Sequence, residues 1–116
     1  MSRLSVEFIK HIRDEAKFLI ECTAKCSKSN FIDDEILKKA CVRALEVIGE
    51  AAKKVDQDTK LKFPEIEWRL MAGMRDKLIH DYEGVNYFMV WSTIQEDIPS
   101  LHDFACQIII ELEKES

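Results

Sequence analysis

Hydrophobic and polar residues alternate with the period of an α-helix over most of the chain. Between Ser5 and Cys26, apolar residues recur at intervals of three, four and seven positions, which places them on one face of a helix. The polar segment 27–30 that follows predicts a connection to a second helix. The apolar face of the first helix consists of Phe8, Ile12, Ala16, Leu19 and Cys26.

The second helix is expected to begin at Asp33 or Asp34, because either side chain can accept hydrogen bonds from the first free amides of a helix. We expect it to end near Lys54. Gly49 in this helix predicts a close crossing with another helix. The apolar residues cover more than one stripe, as in a central helix with several neighbours, and are Ile36, Leu37, Ala40, Cys41, Ala44, Leu45, Val47, Ile48, Ala51 and Ala52.

A third helix is predicted from about Glu65 to Tyr82. The segment 55–65 before it is polar and contains Pro64. Proline suits the first turn of a helix, because its missing amide would have had no partner there.

Two more helices are predicted after a break at residues 83–86. In this break Gly84 is a natural C-terminal cap and Asn86 a natural N-cap. The helices run over about 87–97 and from Pro99 to Lys114. The predicted fold is therefore all-α, an up-and-down bundle of four or five helices.

Composition agrees with a single folded domain over residues 1–116. The chain is 47% apolar and 34% charged, so disorder over the whole length is excluded. It has only three glycines and two prolines, which disfavours turn-rich sheets. The first residues lack the apolar core of a secretion signal, and no stretch approaches the ~20 apolar residues of a membrane span. These features predict a cytoplasmic protein, in which the four cysteines act as small apolar side chains.

The net charge of −5 is distributed unevenly. Residues 1–80 carry sixteen Lys and Arg against fourteen Asp and Glu, whereas residues 81–116 carry one lysine against eight acids. The acid-rich segment repels polyanions. The charge distribution disfavours a broad basic surface for nucleic acid, and any RNA site must be local.

Arg75 is out of place in the predicted third helix. On a helical wheel it lies near the centre of the apolar stripe. A guanidinium in that position must be paired with a carboxylate or helix carbonyls, reach out of the stripe, or face a site for an anion. The sequence leaves these alternatives open.

Asp76 and His80 lie one turn apart on the polar face of the same helix. A carboxylate at this spacing can hydrogen-bond the imidazole and raise its basicity, as acid–base chemistry near neutral pH requires, although an exposed histidine at a helix end is also common. Metal-ligand patterns, phosphate-binding loops and nucleophile elbows are absent from the sequence.

Residues 75–82, RDKLIHDY, have the pattern R-x4-H-x-Y. They are flanked by PEIEW at 64–68, VW at 90–91 and DIPSL at 97–101, with ALEVIGEAA upstream at 44–52. With these surroundings the chain resembles the HepT-like family of HEPN domain proteins over about residues 36–101.

The resemblance implies a usually dimeric, HEPN-like toxin of a toxin–antitoxin pair, encoded beside a minimal nucleotidyltransferase antitoxin. Such family members are metal-independent endoribonucleases that act on RNA without a cofactor. Carried over residue by residue, Arg75 and His80 form the catalytic pair and Asp76 is the polar residue between them. Tyr82 is the hydroxyl to which the antitoxin transfers AMP, silencing the toxin.

A homodimer would supply two imidazoles to one cleft, one as the base and one as the acid of RNA cleavage. Arg75 and His80 are, however, 140° apart on an ideal helix. Either the arginine side chain curls round, the helix loosens near Ile79, or the two residues come from different protomers. A non-catalytic nucleotide- or partner-binding subunit of the nucleotidyltransferase is the alternative function, favoured by the acid-rich segment, and a purely structural dimerisation bundle is a third.

Overall fold

The computed structural model describes residues 3–80 and 84–115, with the helical backbone alone for Arg3 and His80. Over these residues the chain forms helices and no strand, which confirms the predicted all-α fold. Five helices are long, and two have six residues each. The helices are α1 (Arg3–Thr23), α2 (Lys28–Asp33), α3 (Glu35–Lys54), α4 (Gln57–Lys62), α5 (Trp68–His80), α6 (Tyr87–Glu96) and α7 (Ile98–Lys114).

Helix α3 is the centre of the bundle. It packs along both α1 and α5, while the far side of α1 packs along α7. Helix α6 packs against both α7 and α2. The molecule measures 45 × 29 × 19 Å, so its shortest dimension is about two helix diameters. The predicted central position of α3 is confirmed.

The predicted apolar faces are correct in most positions, and one of the predicted residues is exposed. On α1, Ile9 is fully buried, whereas Phe8 packs only at the edge of the core. On α3, Ile36 is 83% exposed. It lies nine positions before the buried Leu45, which on an α-helix is the opposite side. The largest fully buried side chains include Ile9, Ile12, Leu19, Phe31, Leu45, Ile48, Ile94 and Ile98.

The two short helices lie where polar connections were expected. Helix α2 begins after Ser27, whose hydroxyl accepts from the Asn30 amide at 3.1 Å. Helix α4 begins after Asp56, whose carboxylate accepts from the Thr59 amide at 2.8 Å. Each helix has under two turns, so its side chains are too few to show a hydrophobic period.

Helix α5 begins at Trp68, three residues later than predicted. Pro64 lies in a turn before the helix instead of in its first turn. The Trp68 indole donates to the Phe63 carbonyl oxygen at 3.0 Å and fixes this turn against the helix. The start of α6 agrees with the sequence, because Asn86 Oδ1 accepts from the Met89 amide at 3.1 Å as an N-cap.

The four cysteines are free thiols. Cys22 on α1 and Cys41 on α3 approach to 3.8 Å between their Sγ atoms. Burial raises the pKa of both thiols, Cys41 the more strongly, so they stay protonated and pack between the helices.

Candidate functional site

The crossing of α3 and α5 places Arg75. A methyl group at Gly49 would lie 2.2 Å from Arg75 Cβ and 2.7 Å from the carbonyl oxygen of Met71. No side chain fits in this space, so only glycine lets the two helices approach so closely. The close crossing predicted from Gly49 is therefore confirmed, and it holds the base of the arginine side chain against α3.

The Arg75 guanidinium is only partly satisfied. Its side chain is 27% exposed, and one terminal nitrogen donates to Asp76 Oδ1 at 3.1 Å. Its Nε is buried and has no acceptor among the described residues. Asp76 is itself 43% exposed, so the arginine is not tied to an internal carboxylate. The exposed part of this guanidinium suits an anion that comes from solution, whereas the buried Nε would need a shift of the side chain to reach one.

The arginine side chain curls from the apolar stripe towards the polar face. Asp76 lies on that face, 100° round the helix from Arg75, and the hydrogen bond between them brings the guanidinium with it. Helix α5 is continuous through Ile79 to His80. The arginine side chain thus reaches Asp76, and α5 shows no loosening over the described residues. Whether Arg75 and His80 act in one protomer or across a dimer stays a prediction, because the His80 side chain lies outside the described residues.

A second cation meets Asp76 from α3. Lys53 Nζ lies 2.5 Å from the same Oδ1 atom that Arg75 contacts. The hydrogen bond from Lys53, followed by that from Arg75, lowers the pKa of the Asp76 carboxyl. Two cations share one carboxylate, which leaves the cluster with a net charge of +1. We call Lys53, Arg75 and Asp76 the α3–α5 charge cluster.

Lys53 was missed in the sequence. A signal was present, because Lys53 lies four residues after Gly49 and therefore on the same face of α3 one turn beyond the crossing. Its contact with Asp76 depends on how the two helices are packed, which the spacing within one helix does not give.

His80 is the last residue of α5, and its side chain is outside the described residues. Tyr82 also lies outside the described residues. The predicted hydrogen bond between Asp76 and His80 is thus not described. The second carboxylate oxygen of Asp76 accepts no hydrogen bond from any described residue. Of the four predicted site residues, the structure brings Arg75 and Asp76 together.

Two open grooves flank α5. The α4–α5 groove has a volume of about 640 Å³ and lies between the end of α3, α4 and the first half of α5. The α5–α7 groove has a volume of about 450 Å³ and lies between α5, α6 and α7. They adjoin at the start of α5, where both are lined by Glu67 and Arg69.

Within residues 3–80 and 84–115, no group of three or more His, Cys, Asp or Glu side chains is placed to hold a metal ion. The same residues include no helix with the length and apolar character needed to cross a bilayer.

Comparison with known proteins gives a consistent result. Residues 12–108 match the family model described as "Ribonuclease HepT-like". The chain is 43% identical over 102 residues to "Putative RNase TTE0752" of Caldanaerobacter subterraneus subsp. tengcongensis, covering 88% of this chain and 91% of the relative. It is 44% identical over 101 residues to "Probable ribonuclease HepT" of Thermococcus cleftensis, covering 87% and 92%.

A third relative, "Putative RNase MJ1216" of Methanocaldococcus jannaschii, is 42% identical over 106 residues, which cover 91% of this chain and 88% of the relative. No solved structure gave a significant match. Since the family model spans most of the chain and the relatives match it almost end to end, the chain belongs to the HepT-like ribonuclease family.

Proposed function

We propose that the chain is the toxin component of a toxin–antitoxin pair and acts as a metal-independent endoribonuclease. The observation that carries this proposal is the state of Arg75. Its guanidinium is partly exposed, has a buried Nε without an acceptor among the described residues, and pairs with a surface carboxylate that Lys53 also contacts. Such a group is poised to bind a phosphodiester. Membership of the HepT-like ribonuclease family supports RNA as the substrate.

The proposed reaction uses the RNA's own 2′-hydroxyl. Its oxygen attacks the adjacent phosphorus while a base removes the 2′ proton, and the bond from phosphorus to the 5′ oxygen breaks as an acid protonates that oxygen. The products are a 2′,3′-cyclic phosphate and a 5′-hydroxyl. Arg75 stabilises the charge that develops on the phosphate oxygens. His80 supplies the proton transfers, and a two-fold dimer provides one imidazole for each role.

Asp76 takes a binding role in this scheme. With Oδ1 held by Lys53 and Arg75, it fixes the direction of the guanidinium on the polar face of α5. The same face carries position 80, one turn further along the helix. The orientation of Arg75 towards this face supports its assignment to one centre with His80.

Tyr82 is proposed as the site of regulation. Its hydroxyl would attack the α-phosphorus of ATP held by the nucleotidyltransferase antitoxin, forming an O–P bond and releasing pyrophosphate. Tyr82 lies two residues after His80 in the sequence. The added AMP would carry a phosphate to the region where Arg75 binds the phosphate of RNA and would compete with substrate.

The test of the nuclease is cleavage of RNA in the presence of EDTA. Wild type should cleave, Arg75→Ala should lose roughly 10²- to 10³-fold in kcat, and His80→Ala should lose roughly 10²- to 10⁴-fold. Arg43→Ala on α3 and His102→Ala on α7 are the matched controls and should keep full activity. Wild-type protein without activity, or full activity in the folded Arg75 variant, would contradict the proposal.

The test of regulation is mass spectrometry after co-expression with the nucleotidyltransferase encoded beside this gene. We expect AMP-sized mass increments on the tryptic peptide that contains Tyr82, and none in Tyr82→Phe. Tyr87→Phe, on α6, is the control and should be modified like the wild type. An unmodified wild type would contradict this part of the proposal.

A non-catalytic partner-binding subunit is the second candidate. It is favoured by the acid-rich segment 81–116 and by the α5–α7 groove, whose lining includes Glu65, Glu67 and Asp97. Such a surface suits a basic face on a protein partner. Under this alternative, the wild type would bind the nucleotidyltransferase but leave RNA intact.

A further inference from the structure

The α4–α5 groove combines an apolar floor with a cationic rim. Its apolar lining comes from the end of α4, the turn that follows and the first half of α5. Two of these residues, Leu61 and Leu70, are 69% and 64% exposed. The apolar lining residues are Leu61, Pro64, Ile66, Trp68, Leu70 and Ala72.

The rim has an excess of positive charge. Lys53, Lys60 and Arg69 line the groove against a single acid, Glu67. Among the described residues, Lys60 and Arg69 have no ion-pair partner. In a chain of net charge −5, this surface is a local site of the kind that RNA binding requires.

The groove is continuous with the α3–α5 charge cluster. Lys53 lines the groove and also contacts Asp76. Arg69 lies seven residues before Asp76, so both project from the same side of α5 at a separation of roughly 10 Å along the helix axis. Position 80 follows on that side after one more turn. One face of α5 therefore runs from the groove past Asp76 to the end of the helix.

We propose that the α4–α5 groove is a subsite for single-stranded RNA, which binds a nucleotide of the strand close to the bond that is cleaved. The base covers the exposed leucines, and the phosphates contact Lys60 and Arg69. This inference rests on the proposed ribonuclease function. An unpaired base is needed, because its flat apolar face must leave the stack of a duplex to reach the floor of the groove.

The groove suits RNA better than a protein segment, because its rim carries many positive charges for the small apolar area that its floor exposes. Three cations surround a floor with two strongly exposed side chains, and the strand would continue directly to Arg75. An acidic protein segment is the alternative occupant, and the experiment below distinguishes the two.

The experiment measures binding of a fluorescent single-stranded RNA hexamer with 2′-O-methyl groups, which prevent cleavage. Lys60→Ala and Arg69→Ala should each raise Kd about fivefold at 0.1 M salt and reduce the slope of log K against log salt by about 0.7, the contribution of one phosphate contact in single strands. Leu70→Ala should raise Kd without changing the slope. The matched control is Lys77→Ala, on the α5–α7 side, which should leave both quantities unchanged.

Cleavage kinetics of the corresponding unmodified hexamer separate this inference from the proposed function. If the inference is correct, Lys60→Ala and Arg69→Ala raise KM and leave kcat unchanged, since they contact neighbouring phosphates and not the phosphate that reacts. A wild type that cleaves and variants with unchanged KM, Kd and salt slope would overturn the subsite while the ribonuclease stands.

A wild type that binds the hexamer through Lys60 and Arg69 without cleaving it would support the subsite and contradict the nuclease. A wild type that neither binds nor cleaves would overturn both. If the groove variants lose affinity for the nucleotidyltransferase but not for RNA, the groove is a protein interface and the subsite is wrong.

Discussion

The two sides of helix α5 differ in charge although they belong to one helix. The α4–α5 groove is lined by three cations and one acid, whereas the α5–α7 groove is lined by three acids and two cations. Since Glu67 and Arg69 contribute to both, the difference comes from the neighbouring elements. Helices α3 and α4 supply Lys53 and Lys60 on one side, whereas Glu65 in the turn before α5 and Asp97 before α7 add two acids on the other.

This difference makes the proposed local site for a polyanion compatible with an acidic chain. No described residue of the acid-rich segment 81–116 lines the α4–α5 groove. The described part of that segment forms α6 and α7, and its Asp97 lines the other groove. Separation of charge within the fold therefore matters more than the total of −5.

The two sides of α5 also differ in how closely they are packed, and two glycines test this difference with the largest expected effect. Gly49→Ala would force a methyl group against Arg75 Cβ and the Met71 carbonyl, so it should reduce the free energy of unfolding by about 1–3 kcal/mol. Gly73→Ala, on the α5–α7 side, has no atom within 4 Å of the new methyl group. It should increase stability by up to about 1 kcal/mol through helix propensity.

Urea unfolding at a fixed protein concentration measures both changes, and the fixed concentration removes any contribution from association. Equal effects of the two substitutions would mean that α3 and α5 are not held at the distance described. Of the two variants, only Gly49→Ala should lose ribonuclease activity, because the added methyl group displaces Arg75.

The sequence predicted those features that depend on one helix at a time. Long apolar periods gave α1, α3, α6 and α7 to within a few residues, and the wheel identified Arg75 as a cation among apolar positions. Gly49 predicted the close crossing. The two six-residue helices were missed because they show no period, although Ser27 and Asp56 at their N-caps were available signals.

The partners of Arg75 were only partly predictable. Asp76 is its neighbour in sequence, but Lys53 reaches Asp76 from another helix. The grooves, likewise, depend on how α4 and the turn at Pro64 pack against α5, and local spacing holds no information about that packing.

Two lysines on opposite sides of α5 give the next prediction, of intermediate size. Lys53→Met leaves the Asp76 carboxylate to neutralise Arg75 alone, so KM for a single-stranded RNA should rise about fivefold at 0.1 M salt, as for the loss of one phosphate contact. Lys77→Met, on the α5–α7 side, should leave KM unchanged.

The double variant Lys53→Met/Asp76→Asn separates two ways in which Lys53 could act. Part of the increase in KM should be reversed in the double variant, because Arg75 is then no longer neutralised. A double variant as impaired as Lys53→Met, or worse, would mean that Lys53 acts on RNA directly and not through Asp76.

Asp76 and Asp97, one on each side of α5, give the smallest expected effect, which appears in the pH dependence of stability. Hydrogen bonds from Lys53 and then Arg75 lower the pKa of Asp76 in the folded protein below the value of about 3.9 that an unfolded aspartate has. The interaction of Asp76 with the two cations therefore stabilises the folded protein above about pH 4. This stabilisation is lost as the pH falls through the pKa that Asp76 has in the folded protein. Thermal melts of the wild type and Asp76→Asn from pH 7 to pH 3 measure it.

Near pH 6 the wild type should have a slightly higher melting temperature than Asp76→Asn. This gap between the two melting temperatures should close in acid. The gap is expected to be small because the pair is exposed and screened by salt. Asp97→Asn, at the N-cap of α7, removes a carboxylate from the other groove without breaking an ion pair to a described lysine or arginine. It shows what the loss of a carboxylate does where no such pair is present. A gap that widened in acid would have the wrong sign for a carboxylate whose folded pKa is lowered, and would remove the physical basis of the α3–α5 charge cluster.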